Sequence, residues 1–194
     1  VKADPEVIAN VSRLGNGSMR DALSILDRLL ASGEKTIAND EMEALLGLPS
    51  QTAVSSLCDH IVQSNVSGAL EDAANLLSGG VAMDRALEEL AASFRHTMIA
   101  RVCGQDSMLL ELSDTARNEA HVRGALIDES SLTHMIALCD AASRQVRRGG
   151  SGRALFDATI TRLCLSKELA QAGAVLTQTN RSQSTQHKKK SSSV

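Results

Sequence analysis

Apolar residues recur at three- and four-residue intervals along most of this chain, the period of amphipathic helices packed on one face. Asp4-Pro5-Glu6 reads as a helix start, with a capping residue, a proline at the first helical position and an acid in the first turn. Val7, Ile8, Val11 and Leu14 form that helix's apolar face, and Gly15-Asn16-Gly17 stops it. Met19, Ala22, Leu23, Leu26, Leu29 and Leu30 predict a second helix with one apolar stripe, ended by Gly33. Asn39 or Asp40 caps a third, short helix carrying Met42, Leu45 and Leu46, which Gly47 terminates. Pro49-Ser50 marks a boundary.

Beyond that boundary the periodicity predicts helices over Gln51–Gln63, Ser67–Ser78, Met83–Val102 and Ser131–Val146, and a last one from Ser151 or Gly152 through Leu169. Between Gly104 and Asp128 the pattern weakens to short helical stretches. No convincing strand is present, and Thr36-Ile37-Ala38 is the one short extended candidate. From about Gln178 the chain is polar and rich in Ser, Thr, Gln and Lys, a composition that predicts disorder.

The start of the second helix carries the most specific chemistry. Ser18 can cap it, and Asp21, three residues on, can return the bond as a capping box. Arg20 lies off the apolar stripe, beside the backbone N–H groups of the helix start. Such an end attracts anions, and an adjacent guanidinium can grip a phosphate with two parallel bonds. Taken alone, an arginine in this position is most often simply solvated.

The whole string changes that reading. Gly17-Ser18-Met19-Arg20-Asp21-Ala22-Leu23-Ser24-Ile25-Leu26-Asp27 resembles the sensor-2 helix of the gamma/tau subunit family of bacterial DNA polymerase III, the clamp-loader ATPases. The family pattern, roughly G-S-x-R-D-A-L-S-x-x-D-Q, is matched at Gly17, Ser18, Arg20, Asp21, Ala22, Leu23, Ser24 and Asp27. It is departed from at Arg28, where glutamine is usual. Asn39 to Gly47 matches the family's short helix ending in Leu-Gly, and Gly152 to Cys164 resembles the last helix of its collar domain.

The resemblance implies an all-α chain. It would comprise a small helical AAA+ lid remnant over residues 1–48 and a helical-bundle collar for oligomerisation over 51–170, followed by the tail over 178–194 whose composition predicts disorder. It also implies that Arg20 is the sensor-2 arginine that contacts the terminal phosphate of bound ATP. The implied partners are other clamp-loader subunits, further copies of the chain through the collar, and, through the assembled loader, a sliding clamp and primed DNA.

Composition narrows the alternatives. Only Phe94 and Phe156 are aromatic, so the core must be aliphatic, and base stacking on rings is not available. Arg181 and Lys188–Lys190 sit in a tail with no acid, and without them 16 basic residues face 23 acidic ones. A body at −7 is a poor general binder of phosphate backbones. Three lysines on such a tail favour solubility over a nucleic-acid contact. Cys58, Cys103, Cys139 and Cys164 are far apart and form no Cys-x-x-Cys pair, and with no secretory signal they read as free thiols in a reducing cytoplasm. No stretch approaches a membrane span.

No phosphate-binding loop of the G-x-x-x-x-G-K-[ST] kind is present, and no acidic strand end could hold magnesium. The chain should therefore not hydrolyse ATP alone; it carries one ligand of an incomplete site. His60, His96, His121, His134 and His187 show no close ligand spacing, and His60 and His96 read as plain polar positions. Asp27 reads as a polar partner for Ser24 or for a neighbouring chain. A start at Val1 rather than Met points to a fragment. Two alternatives stand beside the clamp-loader reading: a helical protein-interaction module with no nucleotide role, and a truncated product that has lost its ATPase domain.

Overall fold

The computed structural model describes residues 1–15, 17–33, 36–149 and 152–168. Their order is β1 (Lys2–Ala3), α1 (Pro5–Gly15), α2 (Met19–Leu30), β2 (Thr36–Ile37), α3 (Asn39–Leu46), α4 (Gln51–Val62), α5 (Val66–Ser78), α6 (Met83–Cys103), α7 (Asp114–Leu126), α8 (Glu129–Arg147) and α9 (Gly152–Cys164). Among the described residues the fold is all-α apart from one two-stranded ladder. The residues beyond Glu168, including the polar tail, lie outside the described residues.

A small core joins the first three helices. Val7, Leu29, Ile37 and Met42 are buried together, with Val11, Ile25, Leu46 and Leu48 packed against them. α1 and α2 form an antiparallel hairpin that closes tightly at Gly15, where a Cβ would lie 2.8 Å from the Cβ of Ala22. β1 and β2 pair in parallel, Lys2 with Thr36 and Ala3 with Ile37, and Asp4 N–H donates to the Ile37 carbonyl. β2 falls on the extended candidate Thr36-Ile37-Ala38, whereas β1, Lys2–Ala3, was not expected: a two-residue strand carries no alternation for a sequence pattern to show.

The second core is larger and is built around α6. Leu87, Leu90 and Phe94 on α6 meet Leu57 and Ile61 of α4, Ala73 of α5, Leu132, Met135 and Cys139 of α8, and Phe156, Ile160 and Leu163 of α9. Beyond Thr97 the buried side of α6 turns toward a third cluster, in which Ile99 and Ala100 pack with Leu110 and Ala120. Lys167 Nζ donates to the Val62 carbonyl at 2.5 Å, so the segment after α9 closes the end of α4. Asn65 then caps α5 through the Gly68 amide at 3.2 Å. Burial pushes the Cys58 and Cys164 thiols up to about 11 and raises Cys139 further still, while Cys103 is exposed.

Several sequence expectations are corrected. Ile8 is exposed, so the inward face of α1 is Val7 with Val11 and Leu14. α3 starts at Asn39 without an Asn or Asp cap; instead the Glu41 carboxylate accepts the Ala38 amide at 3.1 Å. The weak stretch before Asp128 contains a full helix, α7, capped by Ser113. Its buried positions are Ala120, Arg123 and Gly124, two of them small and one charged, so it shows no apolar stripe.

Candidate functional site

The turn between α1 and α2 sets the position of Arg20. Gly17 adopts φ +79°, a left-handed conformation open to glycine, and Ser18 N–H donates to the Gly15 carbonyl at 2.7 Å. Ser18 then caps α2, its Oγ accepting the Asp21 amide at 3.3 Å. Only half of the expected capping box forms, because the Ser18 amide is already engaged by Gly15 within the turn. The amides of Met19 and Arg20, at the first two helical positions, have no partner within the helix.

Arg20 is exposed on this helix start, and among the described residues it makes no ion pair. Ser24 Oγ donates to the Arg20 carbonyl at 2.9 Å, so Ser24 supports the backbone of Arg20 rather than pairing with Asp27. Asp27 and Arg28 are both exposed.

The apolar stripe of α2 is only partly inward. Leu29 is buried and Ala22, Ile25 and Leu26 are half-buried, whereas Met19 (74 % exposed), Leu23 and Leu30 face outward. The core side of the helix therefore runs through Ile25 and Leu29, about a third of a turn from the line Met19–Leu23–Leu30. That outward line lies next to Arg20. Anion-binding amides, a guanidinium and a narrow apolar strip thus share one exposed helix surface, an arrangement able to bind a phosphate held on another body.

Other polar groupings were not legible in the sequence. Arg123 is buried and bound to Asp59 at 2.6 Å, to Glu119 at 3.2 Å and to Ser55 Oγ, joining α7 to α4. His60 Nδ1 lies 3.2 Å from an Asp72 carboxylate oxygen, between α4 and α5. An open cleft of about 720 Å³ separates the first helices from the second core, lined on one side by Asn10, Asn39 and Glu43 and on the other by Gln51, Glu89 and His96. Among the described residues no three His, Cys, Asp or Glu side chains could hold a metal ion. No described helix is long and apolar enough to cross a membrane.

Two family profiles together match nearly the whole described chain. One, the ATPase lid domain of the DNA polymerase III clamp loader subunit, matches residues 1–35. The other, domain III of the DNA polymerase III subunits gamma and tau, matches residues 37–179. The subunit tau of Bacillus subtilis is 24% identical over 170 residues, covering 86% of this chain and 29% of that protein. The subunit gamma/tau of Mycobacterium bovis is 23% identical over 184 residues, covering 93% of this chain and 32% of that protein. The chain thus spans about a third of the length of these relatives. Among solved structures, the DNA clamp loader delta protein of Bacillus subtilis shares the fold, with TM-score 0.54 and 16% identity over 84% of this chain and 51% of that one.

A match to the clamp-loader lid domain followed by a match to domain III of the gamma and tau subunits places the molecule in the class of clamp-loader subunits. More narrowly, the chain belongs to the gamma and tau subunit family of DNA polymerase III, whose members act in DNA replication.

Proposed function

We propose that Arg20 is a phosphate sensor: from the lid, residues 1–48, it contacts the terminal phosphate of an ATP bound, with magnesium, by a preceding ATPase domain. The observation that carries this reading is the exposed, unpaired guanidinium beside the open amides of a capped helix start, within the segment that matches the lid family. The contact exists only while the terminal phosphate is present, so it biases lid orientation and hydrolysis releases it.

The collar, residues 51–170, joins this subunit to further copies and to other loader subunits while the lids move. Val102, Met108, Leu109, Val122 and Leu126 support that reading, being exposed apolar residues on the end of α6, the loop after it and α7. The assembled loader places a sliding clamp on primed DNA in the cytoplasm.

The experiment is Arg20→Ala in the intact subunit. Loss of a charge-assisted contact is expected to weaken ATP binding by roughly 10- to 100-fold and to impair ATP-driven clamp loading, with unchanged far-ultraviolet circular dichroism. Normal ATP binding and loading by that variant would remove Arg20 from the mechanism. Light scattering across a concentration series tests the collar: a defined oligomer is expected. A chain monomeric throughout would show that residues 51–170 do not suffice for assembly.

A further inference from the structure

The chain passes from the first core to the second through only four residues, Gly47, Leu48, Pro49 and Ser50. A flexible linker of that length would let the two parts turn independently. This one is held at both ends by a single side chain and its backbone. The Glu43 carbonyl accepts the Leu48 amide at 2.8 Å and the Ala44 carbonyl accepts the Gly47 amide at 3.3 Å, with Gly47 at φ +65°. That pairing ends α3 and fixes the direction of the outgoing chain.

The Glu43 carboxylate then spans the linker. Its Oε1 accepts the Gln51 amide, the first of α4, at 3.3 Å, and also accepts Asn39 Nδ2 at 2.9 Å. Asn39 Oδ1 in turn accepts Asn10 Nδ2, on α1, at 2.7 Å. A continuous path of hydrogen bonds therefore runs from α1 through α3 to the start of α4. Glu43 is only 8 % exposed and Pro49 is buried, so the carboxylate at the centre of the joint is largely withheld from water even though Asn39 and Gln51 border the open cleft. A carboxylate at a helix start is also favoured by the helix dipole. Glu89 of α6 lines the same small pocket as Asn10, Glu43 and Gln51, which places this joint against the collar core.

We infer that Glu43 is a positioning residue that couples lid orientation to the collar, through Asn10, Asn39 and the first amide of α4. This rests on the reading of Arg20 as the phosphate sensor. α1 and α2 are locked together where Gly15 meets Ala22, so a pull on Arg20 moves both helices, and Asn10 moves with α1. The joint passes that movement to α4 rather than absorbing it in the linker. A Glu43 that merely capped α4 would change that helix equally with and without nucleotide. A coupling residue changes the difference between the two states.

The test is amide hydrogen exchange in α4, measured on the intact subunit within its assembled loader, with and without a non-hydrolysable ATP analogue. In the wild type, exchange across residues 51–62 is expected to shift on nucleotide binding. At a saturating concentration of the analogue, Glu43→Ala should abolish most of that shift. Asn10→Ala, which breaks the path at its far end, should abolish it with the basal exchange of α4 intact. Glu43→Gln keeps an acceptor and should retain part of the response, which also guards against a simple folding defect in the alanine variant. A nucleotide shift in Glu43→Ala and Asn10→Ala equal to that of the wild type overturns the inference, as does a wild-type α4 indifferent to bound nucleotide. Failure of the underlying reading is separate: it appears as Arg20→Ala binding the analogue normally.

Discussion

Phe94→Ala is expected to cost about 3–5 kcal/mol of folding stability, the usual range for deleting a buried aromatic ring. Phe94 is 0 % exposed and stands midway along α6, the helix that meets α4, α7, α8 and α9. Those helices are fixed by one another, so they can close only part of the space a ring leaves. Total stabilities of single domains are about 5–15 kcal/mol, so the loss is a large fraction of the whole. Urea unfolding followed by far-ultraviolet circular dichroism measures it. A loss below about 1 kcal/mol would show that the aliphatic neighbours collapse into the gap.

Arg123→Ala is the second large effect, expected at about 2–3 kcal/mol. Burial works against the charge of Arg123, but the Asp59 hydrogen bond and the charges of Asp59 and Glu119 outweigh it, and its pKa is raised. Ser55 Oγ completes the network by donating to Glu119 at 2.7 Å. The figure sits at or below the low end for breaking a buried pair because Asp59 and Glu119 are nearly half exposed and regain water once the guanidinium is gone. Arg123→Met should cost less, since it keeps the packed stem. Arg123→Lys should recover only part of the loss, because a single ammonium cannot reproduce the forked contacts to Asp59 and Glu119. Unfolding curves combined with amide exchange in α7 test this. A double-mutant cycle with Asp59→Asn isolates the pair, and additivity within about 0.5 kcal/mol would show no coupling.

The helices with one dense apolar face, α4, α6 and α8, were readable from spacing because each buries residues at three- and four-residue intervals. α7 was not, because its inward positions are alanine, arginine and glycine, and Arg123 finds Asp59 at a separation of 64 residues. α2 shows a different limit. Its apolar arc is wide enough to include both Leu29, which is buried, and Leu23, which is not, and spacing alone cannot say which side meets a neighbour. At the candidate site, the Ser18 cap and the exposed Arg20 follow from a run of eleven consecutive residues, Gly17 to Asp27. The Glu43 joint draws on positions 10, 39, 43 and 51, and no local pattern links them.

The two rings of this chain, Phe94 and Phe156, both lie in the second core, and the sequence holds no tryptophan or tyrosine. The molecule is therefore nearly dark in the near ultraviolet, and the lid contributes no signal of its own. One tryptophan substituted at Leu30, on the outward line of α2, would shine against a silent background. Its fluorescence would follow the lid alone, in the presence of any partner that is itself free of tryptophan.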